Sequence, residues 1–231
     1  LFIEDDLDEF PYDNSVSTSF NVTENVLSLA RTDETTGELI ANSFPRAAEG
    51  FTINYTTCIR LQENYPYGEN PAINGVHFAI EGADSTVAGE YIQIEVFEWN
   101  DPWTSIDSVT YNNLVLVKEQ DYTCPDDSLN GKMLYVPFTA ENGGKFPLEI
   151  TNNKRYLVCL QTLNEDLAFG YDYGVSYSSN YAYYEQPINP LNIDGTWYTG
   201  WTGVDAPSLG LNVGEYVDYT SIKNQNNTSG L

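Results

Sequence analysis

Apolar and polar side chains alternate along several segments of this chain, most clearly in residues 75–100. Two apolar runs, 76–80 and 92–96, place every second side chain on one face, and a polar loop with glycines, 82–89, separates them. A period of two is typical of half-buried β-strands, and glycine permits the backbone conformations that end them. We therefore predict two core strands of one antiparallel sheet. The face opposite 92–96 changes from polar to aromatic toward Trp99.

The same alternation, interrupted by turn-forming residues, recurs along most of the chain. Further strands are predicted in residues 15–29, 51–61, 114–117, 133–138, 155–163 and 206–213. No segment has a convincing helical period. Strands that recur with turn residues between them are typical of sandwiches and jelly rolls. We therefore predict an all-β fold, an antiparallel β-sandwich that is jelly-roll-like, formed as a single domain by residues 15–220.

Composition and charge narrow the classes of partner. The chain has 231 residues and a formal net charge of −25, from 9 basic and 34 acidic side chains. This charge repels phosphate backbones and anionic lipids, so we predict no nucleic-acid partner. No apolar run reaches the roughly 20 residues of a membrane helix, so no membrane insertion is predicted. Residues 1–14 form a predicted acidic leader, either a cation site or a solvated segment, and residues 221–231 a flexible tail or linker.

Three cysteines, Cys58, Cys124 and Cys159, allow at most one internal disulfide and leave one thiol over. They lack the CxxC and CxxH spacings typical of zinc sites. Cys58 and Cys159 fall in predicted strands, where we expect small buried apolar residues. High acidity, few lysines and abundant Tyr, Asn, Thr and Gly suit a secreted or cell-surface protein. The chain starts at Leu1 and has one methionine, Met133, so we expect a processed or excised piece of a larger protein.

Residues 169–201 are rich in aromatic side chains but poor in aliphatic ones. Rings spaced by Gly, Ser and Asn are expected on loops, where a ring face can stack on a sugar or a protein partner. A polar turn around Pro102 brings a further ring, Trp103, to one end of the sheet. The alternative is that half of these rings cover an edge of the sandwich. The candidate ligand-binding residues are Trp103, Tyr171, Tyr173, Tyr181, Tyr183, Trp197 and Trp201.

Acidic residues near predicted strand ends suggest calcium as a cofactor. Calcium prefers carboxylate and carbonyl oxygens, which the loops of jelly rolls supply. The candidate metal ligands are Asp84, Asp101, Asp107 and Asp205. Residues 189–195 superficially resemble a calcium loop, but Pro190 stands at the first ligand position, which excludes an EF-hand. Solvated loop acids are the alternative for each candidate.

Sequence signatures of enzymes are mostly absent. The chain has one histidine, His77, within a predicted strand, and it lacks HExxH, GxSxG, GxGxxG and a phosphate-binding glycine loop. A glycosidase needs only two carboxylates held about 5 to 10 Å apart. Glu95 and Glu98 fall on opposite faces of a strand, whereas Glu81 and Glu95 could face each other across neighbouring strands. Exposed acids on a solvated sheet face explain these residues more simply, so we predict no catalytic residue.

The order of several segments resembles a known type of module. The segments are CIR at 58–60, GVHFAIEGA at 75–83, YIQIEVFEWND at 91–101, MLYVPF at 133–138, KRYLVCLQ at 154–161 and SLGLNV at 208–213. With a glycine- and tyrosine-rich stretch before the last of them, this order resembles the jelly-roll β-sandwich modules of secreted Bacteroidetes proteins. Such modules usually precede the sorting domain of the type nine secretion system. The resemblance implies an extracellular or cell-surface location, within a larger adhesin, protease or polysaccharide-acting protein.

Three functions are compatible with these observations. The first is a non-catalytic secreted or cell-surface binding module, for adhesion or for recognition of a glycan or a surface protein. The second is a structural stalk or cargo domain of a larger secreted protein, with all aromatic rings internal. The third is a carbohydrate-active enzyme that uses a carboxylate pair. We take the first as the working hypothesis because ring-bearing loops are predicted at the rim of the sandwich.

Overall fold

The computed structural model describes residues 25–46, 54–61, 70–140, 144–176, 187, 189–200 and 205–216. The predicted acidic leader and flexible tail lie outside the described residues, as do both predicted limits of the single domain. Most of the predicted first strand also lies outside them. The part of that strand that is described forms Val26–Ser28.

Within the described residues the chain forms fourteen strands, numbered in chain order. They are β1 (Val26–Ser28), β2 (Tyr55–Leu61), β3 (Pro71–Gly82), β4 (Tyr91–Trp99), β5 (Leu114–Thr123), β6 (Met133–Pro137), β7 (Leu148–Glu149), β8 (Tyr156–Thr162), β9 (Leu167–Phe169), β10 (Tyr171–Ser176), β11 (Leu191–Ile193), β12 (Thr196–Tyr198), β13 (Asp205–Pro207) and β14 (Gly210–Glu215). The helical elements of this part of the chain are two short 3-10 helices, Ile106–Ser108 and Asp127–Leu129. None of its helices is long and apolar enough to cross a membrane.

Most strands belong to two antiparallel sheets. The first sheet has the order β1-β14-β3-β6, with β7 and β9 also paired to β3. The second sheet has the order β12-β11-β2-β8-β4-β5, and β10 and β13 form a separate pair. All of these pairings are antiparallel.

Alternate side chains of the two sheets meet in one hydrophobic core. Phe78 and Ile80 of β3 belong to the same buried cluster as Ile94 and Val96 of β4. Burial of one such side chain contributes about 1.5 to 3 kcal/mol to folding. The apolar faces predicted from the alternation are therefore the surfaces through which the two sheets pack and stabilise each other. The predicted all-β, antiparallel sandwich is confirmed.

The two strands of the 75–100 segment do not pair with each other. β3 lies in the first sheet, between β14 and β6, whereas β4 lies in the second, between β8 and β5. The prediction that they are core strands of one sheet is therefore wrong. Their connection, 83–90, is longer than a tight hairpin loop, and Val87 within it is buried in the core. The Val87 N–H donates to Asp127 Oδ1 at 2.7 Å, which fixes the connection as it passes between the sheets.

This arrangement excludes one carboxylate pair. Glu81 lies on β3 and Glu95 on β4, so the two residues belong to different sheets. They cannot face each other across neighbouring strands as considered from the sequence. The carboxylate that does face Glu95 is on β5, as described below.

A disulfide joins two central strands of the second sheet. Cys58 of β2 and Cys159 of β8 lie directly opposite each other, with a Cα separation of 4.1 Å, and are bonded. Both are buried as expected, but the expectation that they are simply apolar core residues is wrong. Cys124 is the thiol left over, and it is also buried.

β5 is longer, and the strands are more numerous, than the sequence pattern indicated. β5 continues to Thr123, beyond the predicted end at residue 117, because its later side chains still alternate between the two faces. Residues 169–201, expected as loops, contribute β10, β11 and β12. β11 pairs with β2, which adds two short strands to one side of the second sheet.

Candidate ligand-binding face

The outer face of the second sheet carries a second hydrophobic cluster, separate from the sandwich core. Its buried members are Cys58, Trp99, Leu157 and Cys159, and the partly buried residues packed on them are Phe97, Trp103, Val109, Tyr111, Leu114 and Trp197. The strand period explains this cluster, since side chains next to inward-facing residues point outward. The aromatic end of β4 noted in the sequence therefore lies on the outside of the sandwich.

The loop of residues 100–113 folds over this cluster and is held by Asp101. Asp101 Oδ1 accepts hydrogen bonds from Thr110 Oγ1 at 2.6 Å and the Asn112 N–H at 3.0 Å, and Oδ2 accepts from the Asn113 N–H at 2.7 Å. Burial alone would raise the pKa of Asp101, but these donors, together with the positive charge of Arg155, bring it below the ordinary value. The carboxylate therefore stays ionised and closes the loop on the sheet.

Four aromatic rings, two of them from this loop, contact one another in a continuous row, the aromatic stack, in which the Trp99 and Trp103 planes are tilted by 42°. The Trp99 ring centroid lies 4.6 Å from that of Trp103 and 4.8 Å from that of Tyr111. Tyr111 in turn stacks on Trp197, with centroids 4.3 Å apart and planes 8° from parallel. The two inner rings, Trp99 and Tyr111, connect the two partly exposed outer ones. Aromatic pairs at these distances each contribute about 0.5 to 1.5 kcal/mol beyond the area they bury.

Arg155 completes the stack at the Trp103 end. Its guanidinium carbon lies 3.6 Å from the Trp103 ring centroid and 5.1 Å from that of Trp99, and a terminal amine donates to the Asp101 carbonyl oxygen. Burial lowers the pKa of Arg155, and the charge of Arg60 lowers it further. The cation therefore covers one face of the Trp103 ring.

The rest of the same sheet face is polar and acidic. Glu95 of β4 lies directly opposite Glu119 of β5, and Gln93 lies opposite Asp121. Burial, and then the charge of Glu119, raise the pKa of Glu95 above its ordinary value. The Tyr91 hydroxyl donates to Asp121 Oδ1 at 2.5 Å, which raises the pKa of Tyr91 to about 12. One face thus presents rings at one end and hydrogen-bond acceptors at the other.

The structure brings together two of the predicted ligand-binding residues. Trp103 and Trp197 lie at opposite ends of the four-ring stack and are partly exposed. Tyr173 is 64% exposed, but it lies on β10, outside this sheet. The remaining candidates, Tyr181, Tyr183 and Trp201, lie outside the described residues.

The prediction that Tyr171 binds a ligand is wrong. Its side chain is fully buried, and its hydroxyl meets Thr57 Oγ1 and lies 3.3 Å from the Tyr55 hydroxyl. The ring therefore belongs to the interior and presents no surface to a ligand. A neighbour in sequence, Asp172, is also fully buried, and its ion pair with Arg31 offsets the cost of burying its charge.

Sequence reasoning missed Trp99 and Tyr111 as members of the stack. Trp99 lies on the outward side of β4 at its aromatic end, so the period of two contained a usable signal. Tyr111 lies in the loop after β4, and nothing in its local sequence indicates which ring it meets. Its place in the stack follows from the closure of the loop by Asp101.

Two of the predicted calcium ligands, Asp84 and Asp101, lie apart. Asp84 precedes β4 and Asp101 follows it, so a strand of nine residues, about 30 Å long, separates them. Asp101 is buried and both of its oxygens accept protein hydrogen bonds, so it stabilises the loop instead. Asp107 is exposed on the same loop, and the side chain of Asp205 lies outside the described part. Among the described residues, no group of three or more His, Cys, Asp and Glu could hold a metal ion.

Comparisons with known proteins identify no family. No family model matches the chain, and no curated protein matches it. A crystal structure of the cysteine protease and lectin-like domains of Cwp84, a surface-layer-associated protein of Clostridium difficile, is similar over 72% of this chain and 33% of that chain. The sequence identity is 9% and the TM-score 0.41. A likeness at this TM-score does not establish a common fold, and the chain spans about a third of that protein's length.

Proposed function

We propose that this chain is a non-catalytic binding module that recognises a glycan through the outer face of its second sheet. The observation that carries the proposal is the position of Trp103 and Trp197, which lie far apart in sequence but end the same ring stack. Sugars have apolar ring faces that stack on aromatic side chains and hydroxyl groups that need acceptors. The acidic side of the same face supplies the acceptors.

The charge of this face indicates the class of glycan. Glu95, Glu119 and Asp121 lie beside the rings, and the whole chain has a net charge of −25. Uronates and sulfated sugars would be repelled by these carboxylates, whereas neutral sugars can donate hydroxyl protons to them. We therefore propose a neutral glycan as the ligand.

A secreted or cell-surface location belongs to the same proposal. The Cys58–Cys159 disulfide supports it, because such bonds persist mainly in oxidising compartments. The resemblance to modules of secreted Bacteroidetes proteins, and membership of a larger chain, stay predictions. A role for calcium likewise stays a prediction.

A carbohydrate-active enzyme is a second candidate, because of one specific pair. Glu95, whose pKa is raised by burial and by the charge of Glu119, lies opposite Glu119, and a carboxyl group of raised pKa beside a second carboxylate can act as the acid on a glycosidic bond. Product formation from a bound polysaccharide, lost in Glu95→Gln, would favour this candidate. Binding without product formation favours the module.

Titration with soluble polysaccharides tests the binding proposal. The intrinsic tryptophan fluorescence of the full chain is followed as neutral mannan, xylan and β-glucan, or anionic alginate and polygalacturonate, are added. We expect a saturable change with at least one neutral polymer and none with the anionic ones. Trp197→Ala should abolish saturation, whereas Tyr198→Ala should retain it, because Tyr198 is an exposed ring on the same strand that points the other way.

A structural stalk would behave differently in this titration. If no polysaccharide changes the fluorescence, or if Trp197→Ala binds as tightly as the unaltered chain, the stack serves stability alone. Thermal unfolding of Trp197→Ala provides the control, since a folded variant makes loss of binding interpretable.

A further inference from the structure

Among the described residues the second sheet ends at β5, whose outer side is its free edge. One side of β5 pairs with β4 over nine residue pairs, from Tyr91↔Thr123 to Trp99↔Leu114. On its other side, β5 pairs with no strand among the described residues. An unpaired edge presents backbone N–H and C=O groups on which an additional strand can form.

The first half of this edge is apolar and exposed. Val115, Leu116 and Val117 are exposed to 48%, 45% and 37% respectively. A bulge explains why three consecutive apolar residues reach solvent. Val96 pairs with Lys118 and Phe97 with Leu116, so Val117 is an extra residue that breaks the alternation.

The second half of the edge is acidic. Glu119 and Asp121 are exposed, and both point to the outer face. Lys118, the one cation of β5, instead points inward, where its amine donates to the Thr139 carbonyl at 3.1 Å and lies over the rings of Phe138 and Phe146. The edge therefore presents negative charge that no β5 side chain balances.

We propose that the free edge of β5 binds an extended segment of a partner protein by strand addition. All strand pairs of the described fold are antiparallel, so the segment would also run antiparallel. Its first half would carry Lys or Arg, opposite Glu119 and Asp121, and its second half apolar residues, opposite residues 115–117. The bulge at Val117 and the inward Lys118 oppose pairing with an arbitrary strand. A partner segment therefore has to match the edge, with its basic half opposite the acidic residues and its apolar half opposite the apolar ones.

A second copy of this chain is a poor occupant of the edge. Two β5 strands paired antiparallel about their centre would set the apolar half of one against the acidic half of the other. Each copy also has a net charge of −25, so the copies repel each other. Charge complementarity therefore favours a basic partner.

Synthetic peptides test this proposal on the full chain. The probe has Lys and Arg at alternate positions of its first half and Val and Ile at alternate positions of its second half. A control peptide has the two halves exchanged, and another is N-methylated at alternate amides so that it cannot pair as a strand. Binding is measured by fluorescence polarisation of labelled peptides, and sedimentation of the protein alone reports self-association.

The probe should bind at least about tenfold more tightly than either control peptide. Leu116→Ser and Glu119→Lys should each weaken binding by about the same factor, whereas Tyr135→Ser should not, since Tyr135 is equally exposed, at 45%, on the edge strand of the other sheet. Bound peptide should protect alternate amides of β5 from hydrogen exchange. Equal binding of all peptides, unprotected β5 amides, or a dimer formed through β5 would each overturn the proposal.

Discussion

Glu95 and Glu119 lie directly opposite each other on β4 and β5, beside the aromatic stack of the same sheet face. Burial and the charge of Glu119 raise the pKa of Glu95 above its ordinary value of 4.5. Folding therefore takes up protons between the ordinary and the raised pKa, and the folded state loses stability as the pH rises through that window. Two like charges are tolerated here although they oppose folding, which is typical of a face kept for binding.

The cost of this pair can be measured. We expect Glu95→Gln to raise the free energy of unfolding at neutral pH by up to about 1 kcal/mol, because the cross-strand repulsion disappears. The gain should vanish as the pH falls below the raised pKa, where Glu95 is already protonated. Urea unfolding across pH, with Glu149→Gln as an exposed control of equal charge change, checks this prediction. A gain that persists at low pH would contradict it.

The buried carboxylate of Asp172 should stabilise the fold in the opposite pH direction. Burial would raise the pKa of Asp172, but hydrogen bonds from the Arg31 side chain and from the Arg31 and Gly174 N–H groups lower it below the ordinary 3.8. Its contribution is therefore present above that value and lost as the pH falls through the lowered pKa.

Replacement of Asp172 should reveal this contribution. We expect Asp172→Ala to lower the free energy of unfolding at pH 7 by about 2 kcal/mol, since several donors lose their acceptor. Glu34→Ala, an exposed acid of the same region as Arg31, should change stability little. Chemical unfolding at pH 7 and at pH values below 3.8 measures the difference between the two variants. A difference that does not shrink at low pH would show that the ion pair is not its source.

The Cys58–Cys159 disulfide should be a large source of stability. It closes a loop with a sequence separation of 101 residues, for which chain entropy gives about 4.7 kcal/mol. The double variant Cys58→Ala with Cys159→Ala should lose roughly that amount in urea unfolding, whereas Cys124→Ala keeps the bond. Thiol titration of the denatured chain should find one free thiol, and three would contradict the assignment.

Asp101 should act through its loop and not through a metal. We expect Asp101→Ala to lower the free energy of unfolding by about 1 to 3 kcal/mol, because Thr110, Asn112 and Asn113 lose a buried acceptor. Asp107→Ala, an exposed acid of the same loop, is the matched control. Any change of melting temperature on adding calcium should be the same in the unaltered chain and in Asp101→Ala. A calcium-dependent rise that is absent in Asp101→Ala would restore the residue as a metal ligand.

The alternation of apolar and polar residues identified which side chains share a face of a strand, but not which strands pair with each other. It placed Ile94 and Val96 on one face of their strand and Trp99 on the opposite face, because alternation along a strand depends only on local geometry. It could not place β3 and β4 in different sheets, since that depends on which other strands each of them pairs with. Sequence composition likewise could not separate Tyr171, which is buried, from Trp197, which is partly exposed. The disulfide pairing and the ring stack bring together residues from distant parts of the chain.

Resonances of the indole N–H groups test the central claim most directly. The chain has four tryptophans, and the Trp99 indole N–H already donates to the Thr110 carbonyl at 2.9 Å. Nitrogen–proton spectra recorded during titration with the neutral polysaccharide that gives the strongest fluorescence change should show shifts of the Trp103 and Trp197 indole signals, and little change for Trp99. If those two signals stay in place while the polysaccharide binds, the stack is not the recognition surface.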